Sequence, residues 1–104
     1  MSVAPIKYVS ATELRAYFNE GRYDILVAYG ALSEQLIREG VPASSANQPP
    51  GTKSQVLAYI NPSRRQVAVV HQYLRPDGTL GGGGRPDPKK LWHNGTLYIV
   101  DESL

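Results

Sequence analysis

At 104 residues, with 41% hydrophobic and 19% charged side chains and a formal charge of +2, the chain has the size and composition of one folded domain, which excludes wholesale disorder. It holds no cysteine, which excludes disulfides, thiol nucleophiles and cysteine-ligated zinc. No apolar run approaches the ~20 residues that cross a bilayer, and Met1-Ser2-Val3-Ala4-Pro5 lacks the pattern of a secretory leader, so a cytoplasmic protein with no membrane partner is expected.

Ile6-Lys7-Tyr8-Val9 reads as a short first strand. Ser10 and Glu13 then make an S-x-x-E capping box, and Leu14, Tyr17 and Phe18 recur at helical spacing before Gly21. That pattern predicts a helix from about Ala11 to Asn19. The next segment has two readings. Ile25-Leu26-Val27-Ala28-Tyr29 has the composition of a buried strand, whereas Ile25, Tyr29, Leu32 and Leu36 fall on one helical stripe. Asp24 suits a first helical turn, Arg38 a last turn and Gly40 a cap, so a second helix is expected from about Asp24 to Glu39. Residues 42–53 carry many breakers and no apolar periodicity, which predicts a linker loop between a helical half, 1–41, and a sheet half, 54–100.

Gln55 to Ile60 and Gln66 to Leu74 read as strands joined by a type I turn at Asn61-Pro62-Ser63-Arg64. The second is apolar on both faces, as a central strand is. Arg75-Pro76-Asp77-Gly78 is a turn, after which Thr79-Leu80 pairs back on that strand. Gly81-Gly82-Gly83-Gly84 interrupts regular structure, and Arg85-Pro86-Asp87 repeats the earlier turn chemistry. Asn94-Gly95 is the strongest hairpin signal, a type I′ turn that pairs Trp92 with Leu97 and Leu91 with Tyr98. Asp101 to Leu104 is expected to fray. The order predicts an α+β fold in a single domain, 1–104: two helices on one face of an antiparallel sheet of about four strands, ending in the Asn94-Gly95 hairpin.

His71 and His93 have the chemistry of a general acid–base pair for metal-independent RNA cleavage, with Arg85, Lys89 or Lys90 stabilising charge. The simpler reading makes His71 a polar position on a central strand and His93 a residue beside a turn. His71, Asp77, Asp87 and His93 have no metal-ligand spacing, and the two aspartates read as turn residues, so no metal is expected. The four glycines lead to Arg-Pro-Asp-Pro and a strand, not to a helix N-terminus, so no nucleotide cofactor is expected. Ser44 and Ser45 have no identifiable base and there is no G-x-S-x-G, so covalent catalysis is not expected.

Tyr17, Phe18 and Tyr29 fall on helical stripes and read as core. Tyr59, Tyr73, Trp92 and Tyr98 lie on strands near cations, where they either fill the core or stack bases while the cations neutralise phosphates. Charge is uneven: residues 1–51 hold four basic and five acidic side chains, residues 53–90 seven basic and two acidic. The helix–helix–sheet order resembles small bacterial ribonuclease toxins in outline, and no motif carries the comparison further.

The sequence therefore points to a small non-enzymatic binding module whose basic sheet half binds nucleic acid. Arg64, Arg65, Arg75, Arg85, Lys89 and Lys90 would contact phosphates, and Tyr73 or Trp92 would stack bases. Two other readings stand beside it. One is a protein-interaction module or homodimer through exposed sheet surface. The other is a small metal-independent ribonuclease using His71 and His93.

Overall fold

The structure, a computed structural model, describes residues 4–104. Met1-Ser2-Val3, the start of the segment that lacks a leader pattern, lies outside the described residues. After strand β1, Ile6–Val9, the Ser10 hydroxyl accepts the Glu13 N–H at 3.1 Å and opens helix α1, Ala11–Glu20, as the capping signal predicts. Leu14 and Phe18 are its buried residues. Gly21 closes it, and Arg22 at φ 54 redirects the chain into a short helix α2, Tyr23–Ala28.

The long helix expected from Asp24 to Glu39 does not form. α2 stops at Ala28, Gly30 turns the chain at φ 79, and Ser33–Gly40 becomes strand β2. The helical stripe was a coincidence of spacing: Leu32 is buried, but Ile25, Leu36 and Tyr29 are exposed, Tyr29 by 85%. Tyr29 is therefore not core. A strand prevails because Lys53–Ile60, strand β3, offers β2 backbone partners from Ser33↔Ile60 to Gly40↔Ser54. The breaker-rich loop thus joins two neighbouring strands, with a 3-10 turn at Ser44–Ala46, rather than a helical half to a sheet half.

Strands β4 (Gln66–Leu74), β5 (Asp87–His93) and β6 (Thr96–Val100) complete the sheet. It has six strands, not about four, in the order β1-β6-β5-β4-β3-β2. It is also mixed, because β1 runs parallel to β6 while the other pairs are antiparallel. β4 is central, as its two apolar faces predict. The hairpin at Asn94 (φ 49) and Gly95 (φ 81) pairs Trp92 with Leu97 and Leu91 with Tyr98, the predicted register. Asp101–Leu104 forms a turn instead of fraying: the Asp101 N–H donates to the Val9 carbonyl at 2.8 Å, and its carboxylate accepts from Ser103. No helix among the described residues is long and apolar enough to cross a membrane.

Alternation gives the sheet two faces. Leu57, Tyr59, Ala68, Val70 and Leu91 are buried beneath Leu14 and Phe18 and form the core. The register rows Ile6–Leu97–Trp92 and Tyr8–Ile99–Lys90–Val69 lie on the opposite face. There Ile6, Tyr8 and Trp92 remain exposed.

One turn carries an avoidable backbone cost. The Asn61 carbonyl accepts the Arg64 N–H at 2.9 Å, and Arg64 itself sits at φ 63, where glycine is the cheaper residue. Arg64→Gly should raise the free energy of unfolding by about 0.5–1 kcal/mol, measured by urea denaturation. A fall in stability would mean that the arginine side chain contributes more than its left-handed backbone costs.

Candidate functional site

β5 begins at Asp87, opposite His71, while β4 continues to Leu74. Pro86 and Pro88 carry no N–H, so this end of β5 cannot extend the ladder in the ordinary way. The returning chain covers part of the unpaired β4 end: Leu80 bridges to Leu74, and the Gly81 N–H donates to the Tyr73 carbonyl at 2.8 Å. What remains is a cleft of about 530 Å³, lined by Arg15, His71, Gln72, Tyr73, Gly81, Gly82, Gly83, Arg85, Pro86, Asp87 and Lys89.

Carboxylates from several elements hold its cations in place. Arg15 reaches from α1, one residue after buried Leu14, and bonds Asp87 at 3.2 Å. Lys89 bonds Asp87 at 3.1 Å and Glu102 at 3.4 Å. Arg85 bonds Asp24 of α2 through Nη2 at 2.9 Å and Nε at 3.3 Å. Arg15 and Arg85 nevertheless stay half exposed. The lining carries three cations and one carboxylate, and with Asp24 and Glu102 included the local charge is balanced, so the cleft offers guanidinium and ammonium donors rather than a net positive charge. Burial pulls Lys89 toward its neutral form, but hydrogen bonds and charge from Asp87 and Glu102 outweigh it and raise its pKa.

His71 faces away from the helices, because its neighbour Val70 is buried against them. Its Nε2 lies 2.8 Å from Ser54 Oγ, and the Tyr73 ring meets it edge-on at a centroid distance of 4.7 Å. The glycine loop adds backbone donors. Gly82 and Gly84 take φ of 66 and 77, while Gly81 and Gly83 stay outside the left-handed region. The N–H groups of Gly82 and Gly83 have no backbone acceptor among the described residues.

Of the residues expected to touch nucleic acid, Tyr73, Arg85 and Lys89 meet in this cleft. Arg75 lies beside it, bonded to Gln48 at 3.1 Å, and lines an adjacent depression with Lys53. Arg64 and Arg65 sit at the other end of β4, on the order of 25 Å away along the strand. Arg65 and Trp92 line a shallow pocket there, and Lys90 stands on the uncovered face between the two ends. His71 and His93 are not brought together. His93 lies at the far end of β5 on the helix side, buried against Tyr17 and Tyr23, with Nδ1 3.0 Å from the Tyr23 hydroxyl.

Sequence reasoning missed Arg15, Ser54 and Asp87. Asp87 is not a turn residue like Asp77, whose carboxylate accepts the Thr79 N–H at 2.9 Å; it opens β5 and holds two cations. Arg15 and Ser54 carry no local signal, because their roles come from pairings with residues distant in the chain. Compared with protein-family models, curated proteins and solved structures, the chain finds no match.

The surroundings of His71 fix the sign of its titration. Burial lowers its pKa below the ordinary 6.5, assisted by Lys89 and Arg38 and opposed by Asp87. The unfolded chain therefore binds this proton more readily, so the stability His71 contributes is present above pH 6.5 and is lost as pH falls through its folded pKa. An NMR titration of the His71 imidazole should show a midpoint below 6.5, moving upward in Lys89→Gln. A midpoint above 6.5 would mean that the Asp87 charge dominates the site.

Proposed function

We propose that the domain binds single-stranded nucleic acid, with a backbone phosphate seated in the cleft at the end of β4. The observation that carries this reading is that Arg15, Arg85, Lys89, Gly82 and Gly83 line one cavity, and that the two glycine N–H groups have no backbone acceptor among the described residues. Guanidinium and ammonium groups neutralise phosphate, and backbone N–H groups add neutral donors to its oxygens. Tyr73 lines the same cavity and supplies a ring for an unstacked base. From there the strand runs along the uncovered face past Lys90 toward Trp92 and Arg65, which form a second, weaker contact region.

The exposure of Ile6, Tyr8 and Trp92 on one face favours a second reading, in which two copies pair through the sheet. It accounts for the apolar rows and leaves the cleft without a role.

Binding of a fluorescent single-stranded oligonucleotide, followed by anisotropy across a salt series, tests the first reading. The double variant Arg85→Ala/Lys89→Ala should weaken binding at least about tenfold, because charge-assisted hydrogen bonds contribute about 1.5–3 kcal/mol each. It should flatten the salt slope by about 0.7 for each phosphate that is no longer neutralised. The double variant Arg64→Ala/Arg65→Ala should have the smaller effect. Salt-insensitive binding, or a cleft variant that binds like the parent, would overturn the proposal.

A further inference from the structure

We propose that the cleft also cleaves RNA, with His71 as general base and Lys89 as general acid, in a step that needs no added cofactor. This rests on the nucleic-acid reading above and goes beyond it. The ring of His71 is held from two sides, by Ser54 Oγ at 2.8 Å from Nε2 and by the Tyr73 ring set edge-on at 4.7 Å. If Nε2–H donates to Ser54 Oγ, the tautomer is set and the lone pair lies on Nδ1, for which no hydrogen-bond partner is found among the described residues. An imidazole bonded at one nitrogen and free at the other, in a cleft that Arg15, Arg85 and Lys89 also line, is the arrangement a general base requires.

The chemistry balances within the site. Nδ1 takes the proton of a ribose 2′-hydroxyl, and O2′ uses the freed electron pair to bond the adjacent phosphorus. The phosphorus–O5′ bond breaks, and the departing O5′ takes its proton from the Lys89 ammonium. The products are a 2′,3′-cyclic phosphate and a 5′-hydroxyl end. The imidazolium then returns its proton to solvent and Lys89 regains one, so both groups recover their starting states. Arg15 and Arg85, together with the Gly82 and Gly83 amides, hold the non-bridging oxygens as negative charge builds on them. Ser54 is a positioning residue. The charges that face His71 are Lys89 and Asp87 of β5 and Arg38 of β2, with Arg15 of α1 in the same cleft; together with burial they leave the imidazole neutral at neutral pH, as a base must be. Lys89, raised by its carboxylate partners, is protonated there, as an acid must be.

The test incubates the full chain in EDTA with labelled single-stranded RNA and with its 2′-deoxy counterpart, and follows binding by anisotropy in parallel. The RNA should be cut to fragments ending in 2′,3′-cyclic phosphate, identified by mass, while the DNA stays intact because it has no 2′-hydroxyl. His71→Ala and His71→Gln should each lower the rate at least about 100-fold while the RNA still binds. RNA that is bound but never cut would overturn the cleavage and leave the binding reading standing. Neither binding nor cutting would remove both. Cutting that survives both His71 variants would assign it to another group or to a contaminant and overturn the role of His71 as base.

Discussion

The cleft exists because β4 is longer than the strand beside it. β5 begins at Asp87, directly after Pro86, which supplies no N–H to a ladder, and Pro88 is accommodated opposite Val70 where the register shifts. The last residues of β4 must therefore find other partners for their backbone groups. They find them in the returning loop, through the Gly81 N–H on the Tyr73 carbonyl and the bridge of Leu80 to Leu74. A loop, unlike a strand, leaves space beneath it. That space opens toward both layers, so a helix residue, Arg15, and sheet residues, His71 and Tyr73, reach the same volume.

The ion pairs around the cleft are better understood as positioning devices than as sources of stability. Exposed pairs such as Arg15–Asp87 and Lys89–Glu102 contribute little to the folded state, typically within about 1 kcal/mol. They select one orientation for each long side chain, and under the proposed function that lowers the entropy cost of binding. Asp24, Asp87 and Glu102 come from α2, the start of β5 and the C-terminal turn, so the cleft is assembled from parts of the chain that meet only in the folded domain.

What the sequence revealed follows from how local each interaction is. The Ser10–Glu13 cap, the Asn94-Gly95 hairpin with its register, the Arg75–Gly78 turn and the central place of β4 all depend on residues a few positions apart, and each was legible. β2 was not, because every residue of this edge strand is exposed and its pattern lacks the alternation of a half-buried strand. Its partner β3 lies beyond a breaker-rich loop, so nothing nearby outweighed the helical spacing of Ile25, Tyr29, Leu32 and Leu36. The parallel pairing of β1 with β6 joins the two ends of the described chain and leaves no local trace. The site followed the same rule. Tyr73, Arg85 and Lys89 stood out by residue type, whereas Arg15, Ser54 and Asp87 acquired roles only through contacts across the sheet. The separation of Arg64 and Arg65 from the other cations is likewise set by the length of β4 and not by their closeness in sequence.

The β4-end cleft, rather than the apolar sheet face, is the proposed place where this domain meets its ligand. Backbone amide chemical shifts recorded while a short single-stranded RNA is titrated into labelled protein test it most directly. Perturbations should centre on Arg15, His71, Tyr73, Gly82, Gly83, Arg85 and Lys89, and weaken toward Trp92 and Arg65. Shifts confined to Ile6, Tyr8, Leu97 and Trp92, following protein concentration and not RNA, would contradict the claim and make the sheet face the working surface.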